Sequence, residues 1–153
     1  MKIIIGADSA GFVLKAPIKK YLEDKGIEVQ DIGVFYNEVG ELTDPAQRDY
    51  PFVARQVAEP VARGEYDFGI ILCGTGIGVG ITANKIPGIR AATVVTAYEA
   101  KYTRLHNDAN VLCMGGRVIA PETAVELVEL FISTQFEGDR HARRVAMIDS
   151  MLK

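Results

Sequence analysis

Phe68-Gly69-Ile70-Ile71-Leu72-Cys73-Gly74-Thr75-Gly76-Ile77-Gly78-Val79-Gly80 joins an apolar run of strand length to a thiol and then to a string of glycines. A run that short and that apolar reads as a strand buried on both faces, as in a parallel sheet. In an open parallel sheet, ligands are held at the carboxyl ends of the strands. Glycines there let backbone N–H groups approach an anion without interference from Cβ. The bland reading is a buried cysteine ending a core strand, with the glycines making a tight turn. The functional reading puts Cys73 at a helix N-terminus, whose dipole favours the thiolate. Thr75 then adds a hydroxyl, and the amides of Gly74, Gly76, Ile77 and Gly78 form a cradle for an oxyanion or phosphate. The feature points to a small-molecule enzyme.

Outward from this stretch, strand and helix signals alternate. Ile3-Ile4-Ile5, Glu28 to Ile32, Asp67 to Leu72, Ile89 to Val95 and Val111 to Met114 read as five strands. Between and after them, helical spacing predicts Phe12–Lys25, Tyr50–Arg63, Ile77–Lys85, Ala97–Asn107, Pro121–Phe131 and a last helix over about 140–152. Pro17 leaves open a kink or a late start in the first helix. Gly33 to Asp49 has no clean period and reads as a long surface loop. Strands separated by helices imply parallel pairing through right-handed crossovers, hence a three-layer α/β/α sandwich in a single domain over residues 1–153.

The totals exclude several classes. The 153 residues carry a net charge of −3, so there is no global basic footprint for nucleic acid. No apolar run approaches the ~20 residues needed to span a bilayer, and the apolar start Ile3-Ile4-Ile5 is too short for a signal peptide. Two cysteines forty positions apart imply neither a disulfide framework nor a metal knuckle, and a cytoplasmic setting is expected. Two histidines 35 positions apart, without clustered carboxylates, give no metal set. The glycine loop is not a Walker A, since no Gly-Lys-Ser/Thr follows. Gly78 to Ala83 meets the loose dinucleotide fingerprint but starts too far past the strand end. No cofactor is called for.

Four further features carry chemistry. Asp8 follows the first strand and should share the carboxyl edge with Cys73; it or Ser9 equally suits a helix cap, worth ~1 kcal/mol. His106-Asn107-Asp108 closes the fourth helix. His106 there either complements the helix C-terminus or, beside a thiolate, serves as an acid, for which an ordinary imidazole pKa of ~6.5 is suited. Arg140, Arg143 and Arg144 fall at the start of the last helix, where cations oppose the dipole. Arg140 and Arg144, four apart, share a face and suit a phosphate clamp as well as a solvated basic patch. Arg117 after Gly115-Gly116 is a further candidate cation.

Together these pieces resemble the type B ribose-5-phosphate isomerase family, which also includes galactose-6-phosphate and allose-6-phosphate isomerases. The resemblance runs nearly end to end and rests on Gly6 to Gly11, Asp49-Tyr50-Pro51, Cys73 to Gly78, Ala83-Asn84-Lys85, His106 to Asn110, and Gly138-Asp139-Arg140-His141 with Arg144. It implies a five-stranded parallel Rossmann-like sheet of order 2-1-3-5-4, in a homodimer or dimer of dimers with active sites shared between subunits. It implies cofactor-independent aldose–ketose isomerisation of a phosphorylated sugar through a cis-enediol, with ribose 5-phosphate as first choice. Cys73 would match the proton-abstracting base, and His106 with Thr75 the groups assisting ring opening. The amides of Gly74 to Gly78 would hold the enediolate oxygen, Asp8, Tyr50 and Asn107 the sugar, and Arg117, Arg140 and Arg144 the phosphate. Ser9 stands where the family usually carries a histidine, and Asn37 to Arg48 looks longer than usual. Another sugar phosphate (galactose 6-phosphate, allose 6-phosphate or a tetrose phosphate) or a non-catalytic sugar-phosphate-binding subunit are the alternatives.

Overall fold

In the computed structural model, which describes residues 1–32, 37–39, 41 and 49–151, the strands alternate their side chains between two helical layers. Strand β1 (Lys2–Ala7) sends Ile3 and Ile5 to one face and Ile4 to the other. Strand β3 (Phe68–Cys73) divides Ile70 and Leu72 from Ile71 and Cys73, and β5 (Val111–Gly115) divides Leu112 and Met114 from Val111 and Cys113. This period-two split is what lets a continuously apolar strand be buried on both sides. Helices α1 (Phe12–Asp24), α4 (Ala97–Asn107) and α5 (Pro121–Ser133) contribute core residues to the first face, with Leu14, Ile18, Leu22, Ala100, Leu127 and Phe131 fully buried. Helices α2 (Tyr50–Ala62) and α3 (Ile77–Ala83) cover the second through Val53, Val57, Val61 and Val79. The result is the expected α/β/α sandwich.

With β2 (Glu28–Asp31) and β4 (Ala91–Thr93), the sheet is five-stranded and all parallel in the order β2-β1-β3-β5-β4. That is the order the resemblance implied. The central strands β1, β3 and β5 are fully apolar inside, whereas both edge strands are half-exposed. A last helix, α6 (Asp139–Asp149), lies beside α4 with His141 and Val145 turned inward. It stops at Asp149, short of residue 152. Helix α1 runs through Pro17 from Phe12, so the late start does not occur.

Two boundaries differ from the periodic pattern for a visible reason. The fourth strand is three residues, not seven, because side chains take over its ends. The Asn84 amide pairs with both backbone groups of Ala91, at 2.8 Å each, and Asn110 Oδ1 accepts the Arg90 N–H. Beyond Val94, the Val95 and Thr96 amides donate to the Glu99 carboxylate, which closes a capping box on α4. Residues 33–36, 40 and 42–48, which include most of the longer stretch from Asn37 to Arg48, lie outside the described residues. Among the described residues, no helix is long and apolar enough to cross a membrane.

Candidate active site

The carboxyl ends of β1, β3 and β5 are tied together by backbone bonds. Asp8 donates its N–H to Leu72 O at 3.0 Å, and Gly116 donates to Cys73 O at 2.8 Å. Arg117 N–H donates to Gly74 O at 3.0 Å. These bonds bring the chain after each strand into one edge cluster. Cys73, in register with Gly115, is 95% buried and receives the Gly76 N–H on Sγ at 3.1 Å, a partial positive charge set against the sulfur. Gly76 holds φ at +80°, which glycine adopts without Cβ strain, and this conformation turns the loop into α3. Thr93 Oγ1 fixes the loop from below by donating to Gly76 O, and Thr75 Oγ1 accepts the Ile77 N–H. Thr93 is a positioning contact that the sequence reading did not single out.

Around this loop lie most of the expected partners. The Tyr50 ring rests on Gly78 so closely that a Cβ there would stand 2.7 Å from Cε2. A Cβ on Gly74 would stand 3.4 Å from Arg117 Nη1, so the guanidinium lies over the loop. Asp8 is buried, its Oδ1 accepting the N–H groups of Ala10 and Gly11. It does not cap α1 itself, whose N-cap is Gly11 without a side-chain bond. Asp8 Oδ2 has no hydrogen bond among the described residues, and Ser9 beside it is exposed. Asp8, Ser9, Tyr50, Cys73 to Gly78 and Arg117 therefore share one edge.

His106, Asn107, Arg140 and Arg144 do not join them. Helix α4 starts from the carboxyl end of β4 and returns antiparallel to the strands, so its last residues arrive at the opposite edge. There Ala109 N–H donates to Thr103 O, and Asn110 N–H donates to Arg90 O just before β4. The length of β5, four steps at about 3.3 Å or roughly 13 Å, separates that turn from Gly115, the partner of Cys73. Within one chain, His106 is thus not beside Cys73, contrary to the simplest expectation from the sequence.

At this second edge the residues form a cluster of their own. The imidazoles of His106 and His141 stack with centroids 4.1 Å apart and planes 7° apart, and Tyr102 meets His106 edge-on at 4.9 Å. Glu137, held by its N–H donating to Leu105 O, places Oε2 3.6 Å from His106 Nε2 and 4.0 Å from His141 Nε2. Burial, followed by the nearby His106 and Arg140 charges, pushes the His141 imidazole below its ordinary value. Arg140 and Arg144 are exposed on the outer face of α6, four residues apart. The far end of α6 is anchored by Arg90, whose Nη1 donates to both Asp149 oxygens at 3.0 Å while Nε donates to the carbonyls of Asn107 and Asp108. Sequence spacing made the two histidines unrelated. Only the return of α5 toward this edge and the start of α6 bring them together, and nothing local marks Glu137.

Asn84 and Asn110, part of the ordered motifs, are structural here: their amides end β4, as described above. Beside the second edge, a groove between α3, β4 and α6 is lined by Ile81, Lys85, Arg90, Ile148 and Met151, with Asn107 also in its wall. Ile81, Ile148 and Met151 are 60%, 44% and 76% exposed, a large apolar presentation for one chain.

A model of the ribose/galactose isomerase family matches residues 3–148. Ribose-5-phosphate isomerase B of Escherichia coli is 44% identical over 150 residues, covering 98% of this chain and 95% of that protein. D-Erythrulose-4-phosphate isomerase of Pectobacterium atrosepticum is 43% identical over 148 residues, covering 97% and 93%. Among solved structures, ribose-5-phosphate isomerase B of Mycoplasma genitalium with bound ribulose 5-phosphate superposes with a TM-score of 0.87 at 37% identity, covering 98% of this chain and 95% of that one.

Proposed function

The chain belongs to the ribose/galactose isomerase family, and we propose that it interconverts ribose 5-phosphate and ribulose 5-phosphate by proton transfer through a cis-enediolate. The observation that carries this reading is the Cys73 thiol at the carboxyl end of β3, held inside the glycine loop with the Gly76 N–H on its sulfur. The Cys73 thiolate removes the proton from C2 of the open-chain aldose, and the C1 carbonyl oxygen takes up the negative charge. Amides of Gly74 and Gly78, joined by those of Gly76 and Ile77 once Cys73 Sγ and Thr75 Oγ1 release them, stabilise that oxygen where the charge develops. Return of the proton to C1, with transfer of the O2 proton to O1, gives the ketose. Neither step requires a redox partner or a cofactor. Asp8 and Tyr50 contact sugar hydroxyls, and Thr75 assists ring opening.

Ring opening also needs a proton donor, and the phosphate needs cations. In this reading His106, Asn107, Arg140 and Arg144 supply them from a second copy of the chain, in a homodimer or a dimer of dimers. Three observations support it. The two clusters occupy opposite edges of one sheet, roughly 13 Å apart by strand length. Each cluster has half of the needed chemistry. The groove beside Asn107 exposes apolar side chains suited to a partner. Arg117 binds the phosphate from the Cys73 edge, so the C-terminal helix closes a clamp across subunits. Two unpaired, buried thiols fit a cytoplasmic setting.

A tetrose phosphate is the second reading, favoured by Ser9, whose exposed hydroxyl can donate a hydrogen bond to an anion but brings no cation. Purified protein assayed without added metal on ribose, allose, galactose and erythrulose phosphates decides between them. Turnover of ribose 5-phosphate that disappears in Cys73→Ala supports the first reading. Turnover of erythrulose phosphate alone replaces it with the second.

A further inference from the structure

We propose that His106, Glu137 and His141 form a binding site for a divalent transition-metal ion such as Zn2+, and that its occupation blocks the isomerase. Among the described residues, these three make the one grouping of candidate ligands, with ligand atoms all within 4.8 Å of one another. Two imidazole nitrogens and a carboxylate oxygen are a donor set that zinc accepts in tetrahedral sites with an open fourth position. His141 provides the second, independent observation. It is 95% buried, yet its Nε2 is sealed from solvent without a hydrogen bond. A buried nitrogen left unpaired costs free energy that a ligand at this position would return.

The geometry needs only a small adjustment. Zinc–ligand bonds of about 2.0–2.1 Å at tetrahedral angles place neighbouring donors about 3.4 Å apart. Glu137 Oε2 is already 3.6 Å from His106 Nε2 and 4.0 Å from His141 Nε2. The parallel stack must splay so that both nitrogen lone pairs converge. His141 is the fixed member; His106 and Glu137, with side chains 32% and 37% exposed, are free to tilt. Arg140 and Arg144 on α6 oppose a cation, which sets the affinity of the site below that of a closed structural zinc centre.

Metal binding itself does not depend on the function proposed above, whereas inhibition rests on His106 being the proton donor of that reading. Coordination through Nε2 removes the donor proton. Calorimetric titration of the chelator-treated protein with Zn2+ tests binding, alongside Glu137→Gln at the surface and His141→Phe in the interior. The expected result is one ion per chain, with affinity lowered at least about tenfold in each variant, the scale of losing a supporting contact in metal sites. No saturable binding to the wild type, or equal affinity in Glu137→Gln and in folded His141→Phe, overturns the site. Ribose 5-phosphate turnover under Zn2+ is then measured. Inhibition relieved by excess substrate is expected; tight binding with full turnover leaves the metal site standing and removes His106 as the donor.

Discussion

Co-expression of Cys73→Ala and His106→Ala chains under two different affinity tags, followed by purification over both, isolates mixed assemblies. In the shared-site account each parent homo-oligomer is inactive, because every site lacks either its base or its proton donor. Loss of one such group costs roughly 10²–10⁴ in rate. A mixed dimer behaves differently. One of its two sites takes Cys73 from one chain and His106 from the other and is intact, while the second lacks both. Its turnover per dimer is therefore about half that of wild type, as two-fold symmetry dictates. The structural basis is the separation along β5: roughly 13 Å between the two edges, against about 9 Å spanned by two reaches of 2.6–3.2 Å plus the two bonds from C2 to the ring oxygen. No rotamer of His106 closes that distance within a chain, since α4 ends in the turn that precedes Val111. The assay is appearance of ribulose 5-phosphate with matched protein concentrations. Mixed dimers as inactive as their parents, or an active monomer in light scattering, would refute the argument.

Replacing Arg140 or Arg144 with alanine should raise KM far more than it lowers kcat, because a phosphate contact is made in ground and transition states alike; loss of one charged hydrogen bond, about 1.5–3 kcal/mol, corresponds to roughly 10- to 100-fold. An unchanged KM would remove that arginine from the phosphate site. Gly76→Ala places a Cβ 3.0–3.1 Å from the Met114 backbone at φ +80°, so stability should fall by about 1–2 kcal/mol, read as a lower urea midpoint; a midpoint equal to wild type contradicts the strain. Arg104 is buried, its guanidinium 4.8 Å from the Phe68 ring centroid and Nη1 donating to Asp108 and Ala109 O. Arg104→Met should destabilise by about 3 kcal/mol, and a loss below about 1 kcal/mol would mean that Asp108 is satisfied by Arg90 alone. Burial pushes the Cys113 thiol up, so iodoacetamide at mildly alkaline pH should label Cys73 and spare Cys113 until denaturant is added. Because the folded state holds the Cys113 proton above the ordinary thiol value, this residue's contribution to stability is complete below about pH 8.5 and declines as pH rises. Native labelling at Cys113 would contradict both statements.

Much of this architecture is legible in local sequence because its determinants are local. The apolar run from Phe68 to Leu72, the glycines after Cys73 and the helical spacing of Leu14, Ile18 and Leu22 each state a period or a break. Asp8 and Cys73 are placed on one edge by the single rule that ligands gather beyond parallel strands. The shortness of β4 is not legible, since Asn84 and Asn110 act through side chains that mimic backbone pairing. The stack of His106 on His141 is less so. It depends on α5 and α6 bringing residues 35 positions apart into van der Waals contact, which no spacing rule contains. Glu137 carries no signal at all. The placement of His106 at the edge opposite Cys73 follows from the direction of α4, a consequence of topology rather than of local spacing.

The most direct measurement is metal-free turnover of ribose 5-phosphate by the wild-type protein and by Cys73→Ala, with binding of ribulose 5-phosphate followed in parallel. The account predicts isomerisation by the wild type, its loss in the variant and retention of ligand binding by both. Turnover that survives the loss of the Cys73 thiol would contradict it.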